Sequence, residues 1–495
     1  MLLKFGLPLL TAILLILASP KPNLAFLAPF ALAPLLHSMA QEASGRRRFL
    51  IGWLAGMVYW AGACYWIQGV LEHHAGMAGP LSWVGFVGFF LYKGLHMGGF
   101  AWLAGPLMRS RWALAAVPAL WVVIERTHAA LGFTWLLLGN AAIDMGLPLR
   151  LAPFTGVWGI SFLFAAMATA ITLALLRRPR FEWLPLAAAA FIVLLPAMPE
   201  PEPGTVQAVL VQPNIPGDAD WTQEWVDAQH RRLVALSMQA ALKDPANPPE
   251  LIVWPEVPAP VYYEADPQLR EAVNKLAGIT GAHIVLNTVP RRADGMPLNS
   301  ALVVSPEGRA LARYDKINLV PFGEFVPWPF KALVDKVSTE AGDFAPGDAQ
   351  ILLPVDGHNL GAFVCYESVF PGFVRRFAAL GAGALVNISN DGWYGASAAR
   401  DQHLLIARMR AAESRRWMLR ATNDGITSTI DPAGRAIRHL PSFEAGAVRT
   451  AFNYIDEATF YSRHGNWFVW LCAAVTVIFT AETQRRREKR KETEI

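Results

Sequence analysis

The sequence is poor in charged residues and in cysteine. Only 17% of its 495 residues are Asp, Glu, Lys or Arg, whereas 54% are hydrophobic. The three cysteines are too few for a disulfide framework, and Cys64 and Cys472 lie in apolar stretches where cysteine packs as a small hydrophobe. No cluster of His, Cys and Asp has the spacing of metal ligands. We therefore expect neither a disulfide-stabilised domain nor a metal or other cofactor.

The net charge of +4 comes from basic residues in short clusters between apolar stretches. The clusters are Lys4, Arg46–Arg48, Arg109 with Arg111, Arg177 with Arg178 and Arg180, and Arg485–Lys491. Such clusters are typical of cytoplasmic loops of membrane proteins and not of a continuous phosphate-binding face. We expect no nucleic-acid partner.

Long apolar segments predict a polytopic α-helical membrane domain. A spanning helix needs about 20 apolar residues, and about eight segments approach that length. They are Phe5–Ser19, Leu24–Met39, Ile51–Leu71, Leu81–Leu107, Ala113–Ile124, Phe154–Leu176, Trp183–Ala197 and Asn466–Thr480. Met1–Ser19 also resembles a signal peptide, but Pro20 disfavours cleavage there, so an uncleaved first span is preferred.

The apolar segments and the basic clusters together predict three regions of the chain. Residues 1–198 hold all but the last of about eight spans, 199–464 form a catalytic domain, and 465–495 hold the last span and a basic tail. Every basic cluster falls on one side of this arrangement, so the positive-inside rule predicts that 199–464 lies on the outer face. Lys93 lies inside the fourth span, where it either lines a polar cavity or reaches the interface from a tilted helix.

Residues 199–464 alternate strand-like and helical patterns. Apolar runs predict strands at Val206–Val211, Leu251–Trp254, His283–Leu286, Ala301–Val304, Leu360–Val364, Ala384–Ile388 and Thr427–Ile430. Amphipathic patterns predict helices at Trp225–Leu242, Pro267–Gly278 and Gln402–Arg416. This alternation predicts an α/β fold with its chemistry at strand ends.

A carboxylate and an amine follow two of these apolar runs. Glu256 stands between prolines just after Trp254, and this rigid, partly desolvated setting would raise its pKa toward the range of a general base. Lys316 would hold a cation against a developing oxyanion. Taken singly, each has an ordinary alternative, because most carboxylates and lysines in such positions are solvated.

Cys365 is the cysteine that belongs to a polar context, since Tyr366 and Glu367 follow it. It stands where a predicted strand gives way to a predicted helix, and Pro371 suits an early helical position. A helix N-terminus and a nearby ammonium would lower the pKa of the thiol and favour the reactive thiolate. A buried, inert cysteine is the alternative.

The order Glu, Lys, Cys in these contexts resembles the nitrilase superfamily. The matching segments are Trp254–Glu256, Tyr314–Lys316, Val320–Pro327, Cys365–Glu367 and Asn387–Gly395. With apolar spans on both sides, the chain resembles the apolipoprotein N-acyltransferase family, which is the membrane-embedded branch of that superfamily. Gly392 departs from the pattern, because alanine is expected there.

The resemblance implies a nitrilase-like αββα sandwich for 199–464 and three catalytic roles. Glu256 is the implied general base, Lys316 stabilises the oxyanion, and Cys365 is the nucleophile. Supporting roles are implied for Glu324, Tyr366 and Glu367. Trp221 is placed near the substrate path. Phe322, Phe325 and Trp328 around Glu324 are expected as a group to form a lid that dips into lipid, and packing in an ordinary core is the alternative for any single one of them.

The resemblance also implies a reaction and its partners. An acyl chain passes from a phospholipid donor, through a thioester on Cys365, to the α-amine of the N-terminal diacylglyceryl-cysteine of an apolipoprotein acceptor. Such an enzyme is expected to be a monomer in the inner membrane of a Gram-negative-type bacterium. Its catalytic domain is then periplasmic and its C-terminal tail cytoplasmic.

Three other functions fit parts of the sequence. A membrane-tethered amidohydrolase of the nitrilase type would use the same three residues on a soluble amide, with water as the acceptor. A non-catalytic membrane scaffold would keep the fold without the chemistry, but Glu256, Lys316 and Cys365 together argue against it. A channel or transporter is disfavoured because, apart from Lys93, the predicted spans carry few ionisable groups.

Overall fold

The computed structural model describes residues 2–74, 77, 79–217, 221–258, 262–326 and 344–493. The chain forms two compact units. The first comprises Met1–Leu71, Ala78–Ala197 and His464–Ile495, and the second comprises Glu72–Met77 and Met198–Arg463.

The described part of the second unit contains two six-stranded sheets. Their strands are β1 (Val206–Gln212), β2 (Leu251–Val253), β3 (His283–Thr288), β4 (Ser300–Val304), β5 (Ala310–Asp315), β6 (Leu353–Val355), β7 (His358–Val364), β8 (Ala384–Ser389), β9 (Met418–Thr422), β10 (Thr427–Ile430), β11 (Ala436–Leu440) and β12 (Gly446–Phe452). The order in one sheet is β12-β1-β2-β3-β4-β5, and in the other it is β11-β10-β9-β8-β7-β6. All seven predicted strands are confirmed, with small shifts at their ends.

Each sheet has a parallel centre. β1, β2 and β3 run parallel, as do β7, β8 and β9, while the remaining neighbours pair antiparallel. Two successive antiparallel pairings, β3 with β4 and β4 with β5, give β5 the same direction as β2. The carboxyl ends of β2 and β5 therefore lie at the same edge of their sheet.

Helices cover the sheets from outside. In the second unit they are Gln223–Ala241, Pro267–Thr280, Pro371–Ala379 and Ala399–Ser414, with 3₁₀ turns at Cys365–Val369 and Asp391–Tyr394. Pro267–Thr280 shows why these segments are helical. The Asp266 carboxylate accepts from the backbone N–H groups of Gln268 and Leu269, Pro267 occupies the first turn, and Gly281 ends the helix at φ +67°.

The central strands are buried on both faces. Val209, Ile252 and Ile284 belong to a core cluster shared with Leu233 and Leu276 of two covering helices. On the other face the sheets meet directly, because the Gln212 amide oxygen on β1 accepts from Thr422 Oγ1 on β9 and from the Thr427 backbone N–H on β10. The layers follow the order helix, sheet, sheet, helix, which is the predicted αββα sandwich. Burial on both faces of the sheets explains the apolar runs from which the strands were predicted.

The first unit is helical. Its α-helices are Leu2–Ala18, Ala33–Gln41, Gly45–Ala63, Ile67–His73, Gly79–Met108, Ala113–Thr127, Gly146–Leu149, Ala152–Thr155, Val157–Leu175 and Trp467–Thr493, and its longest 3₁₀ helix is Leu184–Leu194. In the described residues, Val157–Leu175 and Trp467–Arg486 are long and apolar enough to cross a membrane. A third span results if Gly45–Ala63 and Ile67–His73, bent by 60°, count as one.

These helices support a membrane domain, but the count of about eight spans stays a prediction. The predicted span Trp183–Ala197 shows why. It forms an 11-residue 3₁₀ helix, Leu184–Leu194. At about 2 Å per residue such a helix falls short of an apolar layer of about 30 Å.

Lys93 is enclosed within the first unit. Its Nζ lies 2.5 Å from His128 Nδ1 and donates to the Phe133 carbonyl at 3.0 Å. The ammonium also stands 4.3 Å from the centre of the Trp60 ring. These contacts favour a polar interior position for Lys93 over one that reaches an interface.

Candidate active site

Strand ends bring the three predicted catalytic residues to one place. Glu256 follows β2, Lys316 directly follows β5, and Cys365 directly follows β7. The first two come from one sheet and the third from the other, whose parallel strands β7 and β8 end side by side at Val364 and Ile388. All three side chains are buried, with exposed fractions of 8%, 1% and 4%.

The Glu256 carboxylate is held by two amide groups. Asn299 Nδ2 donates to Glu256 Oε1 at 2.7 Å, and the backbone N–H of Asn390 donates to Oε2 at 3.0 Å. Burial raises the pKa of Glu256, although the Lys316 ammonium opposes the shift. The prediction of a raised pKa is confirmed, and a carboxylate of this kind suits a general base.

Lys316 is bound by two carboxylates. Its Nζ lies 2.9 Å from Glu324 Oε1 and 2.8 Å from Oε2, and 3.7 Å from Glu256 Oε1. Burial alone would lower the pKa of Lys316, but Glu324 and Glu256 raise it above its ordinary value. Lys316 is therefore a permanent cation, which suits oxyanion stabilisation and not proton transfer.

Cys365 stands at a sharp turn between β7 and the 3₁₀ turn Cys365–Val369. Its backbone φ is +49°, a left-handed value that costs a non-glycine residue about 1–2 kcal/mol. The Sγ atom lies 4.0 Å from the Asn390 carbonyl oxygen. Glu256 and Lys316 both shift the pKa of the thiol, so the three groups share one electrostatic environment.

The prediction that its surroundings lower the pKa of Cys365 is wrong. Burial raises the pKa of the thiol above its ordinary value, and the Glu256 carboxylate raises it further. Lys316 opposes these effects without cancelling them. Cys365 is therefore protonated at rest, and a base has to take its proton as the sulfur attacks.

This protonation state gives a pH dependence that alkylation of Cys365 can measure. With Cys64 and Cys472 replaced by alanine, the rate of reaction with iodoacetamide is expected to rise about tenfold per unit between pH 7 and pH 9. A small-molecule thiol with a pKa near 8.5 serves as the control and levels off above about pH 9. A plateau for Cys365 near neutral pH contradicts the raised pKa.

Glu367 ties the Cys365 turn to the Lys316 loop. Its Oε1 accepts from the Tyr314 hydroxyl at 2.6 Å and from the N–H groups of Ile317 and Asn318 at 2.9 and 3.0 Å. Its Oε2 accepts from the Val364 N–H at 2.9 Å. These bonds connect the residues next to Cys365 with those next to Lys316, and the supporting role of Glu367 stays a prediction.

The other supporting residues lie close by. Glu324 Oε2 accepts from the Val320 N–H at 2.9 Å while the same carboxylate binds Lys316. Tyr366 is buried, and its ring packs against that of Phe370 with a centroid distance of 5.5 Å.

Sequence reasoning assigned no role to two asparagines of the site, although Asn390 lies within the matching segment Asn387–Gly395. Asn299 Nδ2 bridges Glu256 and Glu324, at 2.7 Å from Oε1 of each, and its Oδ1 accepts from Asn287. Asn390 contacts Glu256 through its N–H and Cys365 through its carbonyl. Asn299 precedes β4, which runs antiparallel to β3, so its position at this edge depends on a strand direction that no local motif indicates.

A cavity of about 880 Å³ opens above Glu256 and Glu324. Its lining includes Trp221 together with Trp393 and Phe443. That Trp221 lies near a substrate path stays a prediction. This volume lies within the range of about 300–1,000 Å³ that holds a small ligand. In the described part of the chain, no group of three or more His, Cys, Asp or Glu has a metal-binding arrangement.

The described residues include only part of the predicted lid. Phe322 and Phe325 form a tight turn, in which the Phe322 N–H donates to the Phe325 carbonyl at 2.7 Å, and Phe322 has φ +63°. Both rings are half-buried, and neither belongs to the described lining of the cavity. Trp328 lies outside the described residues. The lid stays a prediction.

Family models match both parts of the chain. The carbon-nitrogen hydrolase model covers residues 207–459, and the model of the apolipoprotein N-acyltransferase N-terminal domain covers residues 11–170. Among solved structures, an amidase from Nesterenkonia sp. is similar at 20% identity with a TM-score of 0.41, over 55% of this chain and 97% of that one.

Curated relatives named apolipoprotein N-acyltransferase match almost end to end. The one from Geobacter metallireducens is 32% identical over 97% of this chain and 95% of its own. Those from Azotobacter vinelandii and Methylococcus capsulatus are 34% and 33% identical, each over 93% of this chain, and over 93% and 92% of their own. The sandwich with its buried Glu, Lys and Cys and the apolar helical unit thus occur in one continuous match, and the chain belongs to the apolipoprotein N-acyltransferase family.

Proposed function

We propose that this protein transfers an acyl chain from a phospholipid to the α-amine of the N-terminal diacylglyceryl-cysteine of apolipoproteins, through a thioester on Cys365. The observation that carries this proposal is the burial of Glu256, Lys316 and Cys365 together at strand ends, with Glu256 lining the cavity. A carboxylate, a permanent cation and a protonated thiol are the groups that two successive acyl transfers need.

In the first step Glu256 takes the thiol proton while Sγ attacks the ester carbonyl carbon of the phospholipid. The carbonyl oxygen becomes an oxyanion, and Lys316 supplies positive charge beside it. When the tetrahedral intermediate collapses, the C–O ester bond breaks. The proton on Glu256 passes to the departing lysophospholipid oxygen, which leaves the thioester on Cys365 and Glu256 ionised.

In the second step the acceptor amine attacks the thioester carbonyl. Glu256 takes a proton from the amine, the C–S bond breaks, and the same proton returns to the sulfur. The product is an amide, and Cys365 regains its thiol. Asn299 supports both steps, because its bonds to Glu256 Oε1 and Glu324 Oε1 fix the positions of these two carboxylates relative to each other.

The lipid substrates favour a membrane setting for this chemistry. The proposal includes a membrane domain at 1–198, a periplasmic catalytic domain at 199–464, and a last span with a cytoplasmic tail at 465–495. The apolar helices Val157–Leu175 and Trp467–Arg486 and the basic clusters support it. We also propose that the protein acts as a monomer in the inner membrane.

The orientation has a direct test in whole spheroplasts. In a protein without its native cysteines, a single cysteine at exposed Glu264 is expected to react with a membrane-impermeant maleimide. A cysteine at Arg485 is expected to react only after permeabilisation, because the basic tail is cytoplasmic. The opposite pattern contradicts the proposed orientation.

A transfer assay separates the proposal from the amidohydrolase alternative. Purified full-length protein is incubated with labelled phospholipid and a diacylglyceryl-cysteine lipopeptide. We expect N-acylated lipopeptide to exceed released free fatty acid by at least about tenfold, because the buried thioester is shielded from water. Fatty acid as the main product indicates a hydrolase, and the absence of both products indicates a scaffold.

A further inference from the structure

A buried histidine beneath the nucleophile has no role in the reaction described above. His403 lies on the helix Ala399–Ser414, and its side chain is fully buried. Its Nε2 is 3.2 Å from the carbonyl oxygen of Cys365 and 2.8 Å from Ser368 Oγ. His403 thus touches the first and the fourth residue of the 3₁₀ turn that begins at the nucleophile.

The opposite edge of the imidazole meets an ion pair. His403 Nδ1 lies 3.0 Å from Asp391 Oδ1 and 3.1 Å from Arg420 Nη2. Arg420 Nη2 itself donates to both Asp391 oxygens, at 3.0 and 2.8 Å, and Nη1 donates to Asn387 Oδ1. Asp391 and Arg420 are fully buried, so the pair gives the ring a fixed support.

These neighbours decide which nitrogen carries the proton. The Cys365 carbonyl can only accept, so Nε2 must carry a hydrogen to face it. Nδ1 faces a donor, Arg420 Nη2, and an acceptor, Asp391 Oδ1. With a hydrogen on Nε2, a neutral ring accepts from Arg420 at Nδ1 and a protonated ring donates to Asp391 there, and both forms keep the Nε2–H that faces the Cys365 carbonyl. Burial and the Arg420 cation lower the pKa of His403, which agrees with a neutral ring.

The turn that His403 touches is the one that needs support. Cys365 holds a left-handed φ of +49°, which persists only where surrounding groups fix the backbone. Glu367 fixes the N–H of Val364 on one side of Cys365. The carbonyl on the other side faces His403 Nε2.

We propose that His403 is a positioning residue for the transfer reaction: its Nε2–H holds the Cys365 carbonyl, and through it the angle at which Sγ meets the acyl carbonyl. Asp391 and Arg420 orient the ring, and Ser368 and the Tyr394 ring, 5.7 Å away, complete its surroundings. The inference rests on the proposed function, since it assumes Cys365 as the nucleophile.

Two substitutions of similar length test the donor. His403→Gln keeps an N–H group that can reach the Cys365 carbonyl, whereas His403→Met fills similar space without a donor. We expect His403→Met to lower kcat for acyl-enzyme formation about 100-fold and His403→Gln to lower it less than about 10-fold. KM for phospholipid is expected to stay within about threefold of wild type in both, because the substrate-binding cavity is unchanged.

Matched substitutions at His230 control for the loss of a buried histidine. His230 is 8% exposed and lies on the helix Gln223–Ala241, remote in sequence from the turn. His230→Met is expected to leave kcat within about threefold of wild type even if its melting temperature falls. A folded His403→Met protein with wild-type kcat overturns the inference, as does an equal loss in the Met and Gln variants.

Further variants test the positioning role of His403 even if His403→Met does not fold. If His403→Met does not fold, a folded His403→Gln protein that has lost about 100-fold in kcat still overturns the inference. Ser368→Ala is expected to stay within about threefold of wild type, and a loss there in place of His403 would transfer the role to Ser368. Cys365→Ala separates the two proposals: activity in that variant defeats the proposed function, whereas its inactivity beside an unaffected His403→Met defeats only the positioning role.

Discussion

Replacing Cys365 by alanine is expected to abolish the acyl-enzyme and to lower N-acylation by at least about 10⁴-fold, because loss of a covalent nucleophile is among the largest single effects on an enzyme. Without the sulfur, the acceptor amine has to attack the phospholipid ester directly. Lys316 is not available as a replacement nucleophile, because its ammonium is bound to Glu324 through both carboxylate oxygens. The cation and base remain but have no thioester to act on.

The measurement is the mass of the peptide that contains Cys365 after exposure of the full-length protein to phospholipid. Wild-type protein is expected to gain one acyl chain that neutral hydroxylamine removes, as it removes a thioester. Cys64→Ala and Cys472→Ala serve as controls and should acylate normally, because both cysteines lie in the apolar helical unit. A hydroxylamine-labile adduct on another cysteine of the Cys365→Ala protein would remove the assignment.

The sequence was a good guide to the sandwich where strands are buried on both faces. β1, β3 and β8 contain the apolar runs Ala208–Val211, Ile284–Leu286 and Ala384–Val386, and their prediction required only that pattern. Five strands escaped prediction: β5, β6, β9, β11 and β12. β9 is fully buried, but the charged residue Arg420 interrupts its apolar pattern. β11 is largely exposed, so its sequence has no apolar run either.

The helical unit was harder to predict, because hydropathy indicates that a segment is apolar but not which helix it forms. The segment Trp183–Ala197 is apolar enough to suggest a span and yet folds as a 3₁₀ helix with Pro185 at its start. The position of Lys93 was equally undetermined. Its enclosure depends on His128 and on the Phe133 carbonyl, which approach it through tertiary packing and not through sequence spacing.

In the candidate site, the residues proposed for catalysis could be predicted from the sequence, but the contacts and burial that surround them could not. Glu256, Lys316 and Cys365 stand at strand ends in recognisable contexts, so their convergence could be expected. The sign of the pKa shift at Cys365 could not, because it depends on how completely the thiol is buried beside Glu256. Asn299 and His403 carry no local signature, and their importance appears only when strand direction and helix packing place them beside Glu256 and Cys365.

The protonated thiol makes Glu256 the second residue on which the reaction depends. Glu256→Gln is expected to lower the rate of acyl-enzyme formation by about 10²–10⁴-fold, the usual contribution of a general base. The substitution preserves size, and one amide oxygen can still accept from Asn299 or Asn390. The other of these two N–H donors then faces the NH₂ group of the glutamine and loses its acceptor. This loss is expected to lower the free energy of unfolding by about 1–3 kcal/mol.

The pH profile distinguishes loss of the base from this loss of stability. Burial raises the pKa of Glu256, so the wild-type rate is expected to fall on the acid side at a pH above the ordinary carboxyl value of about 4.3. Protonated Glu256 cannot accept the thiol proton, and the fall therefore reports its titration. In Glu256→Gln this acid limb should disappear while the rate stays low throughout.

Glu250→Gln is the matched control for this experiment. Glu250 stands immediately before β2, the strand that leads to Glu256, and its Oε1 accepts from the Tyr454 hydroxyl at 2.6 Å. Removing this charge should leave both the rate and the acid limb unchanged, because Glu250 has no contact with the thiol among the described bonds. A Glu256→Gln protein that keeps more than about a tenth of the wild-type rate would mean that another group takes the proton of Cys365. Lys316 would not be that group, because its ammonium is bound to both carboxylate oxygens of Glu324.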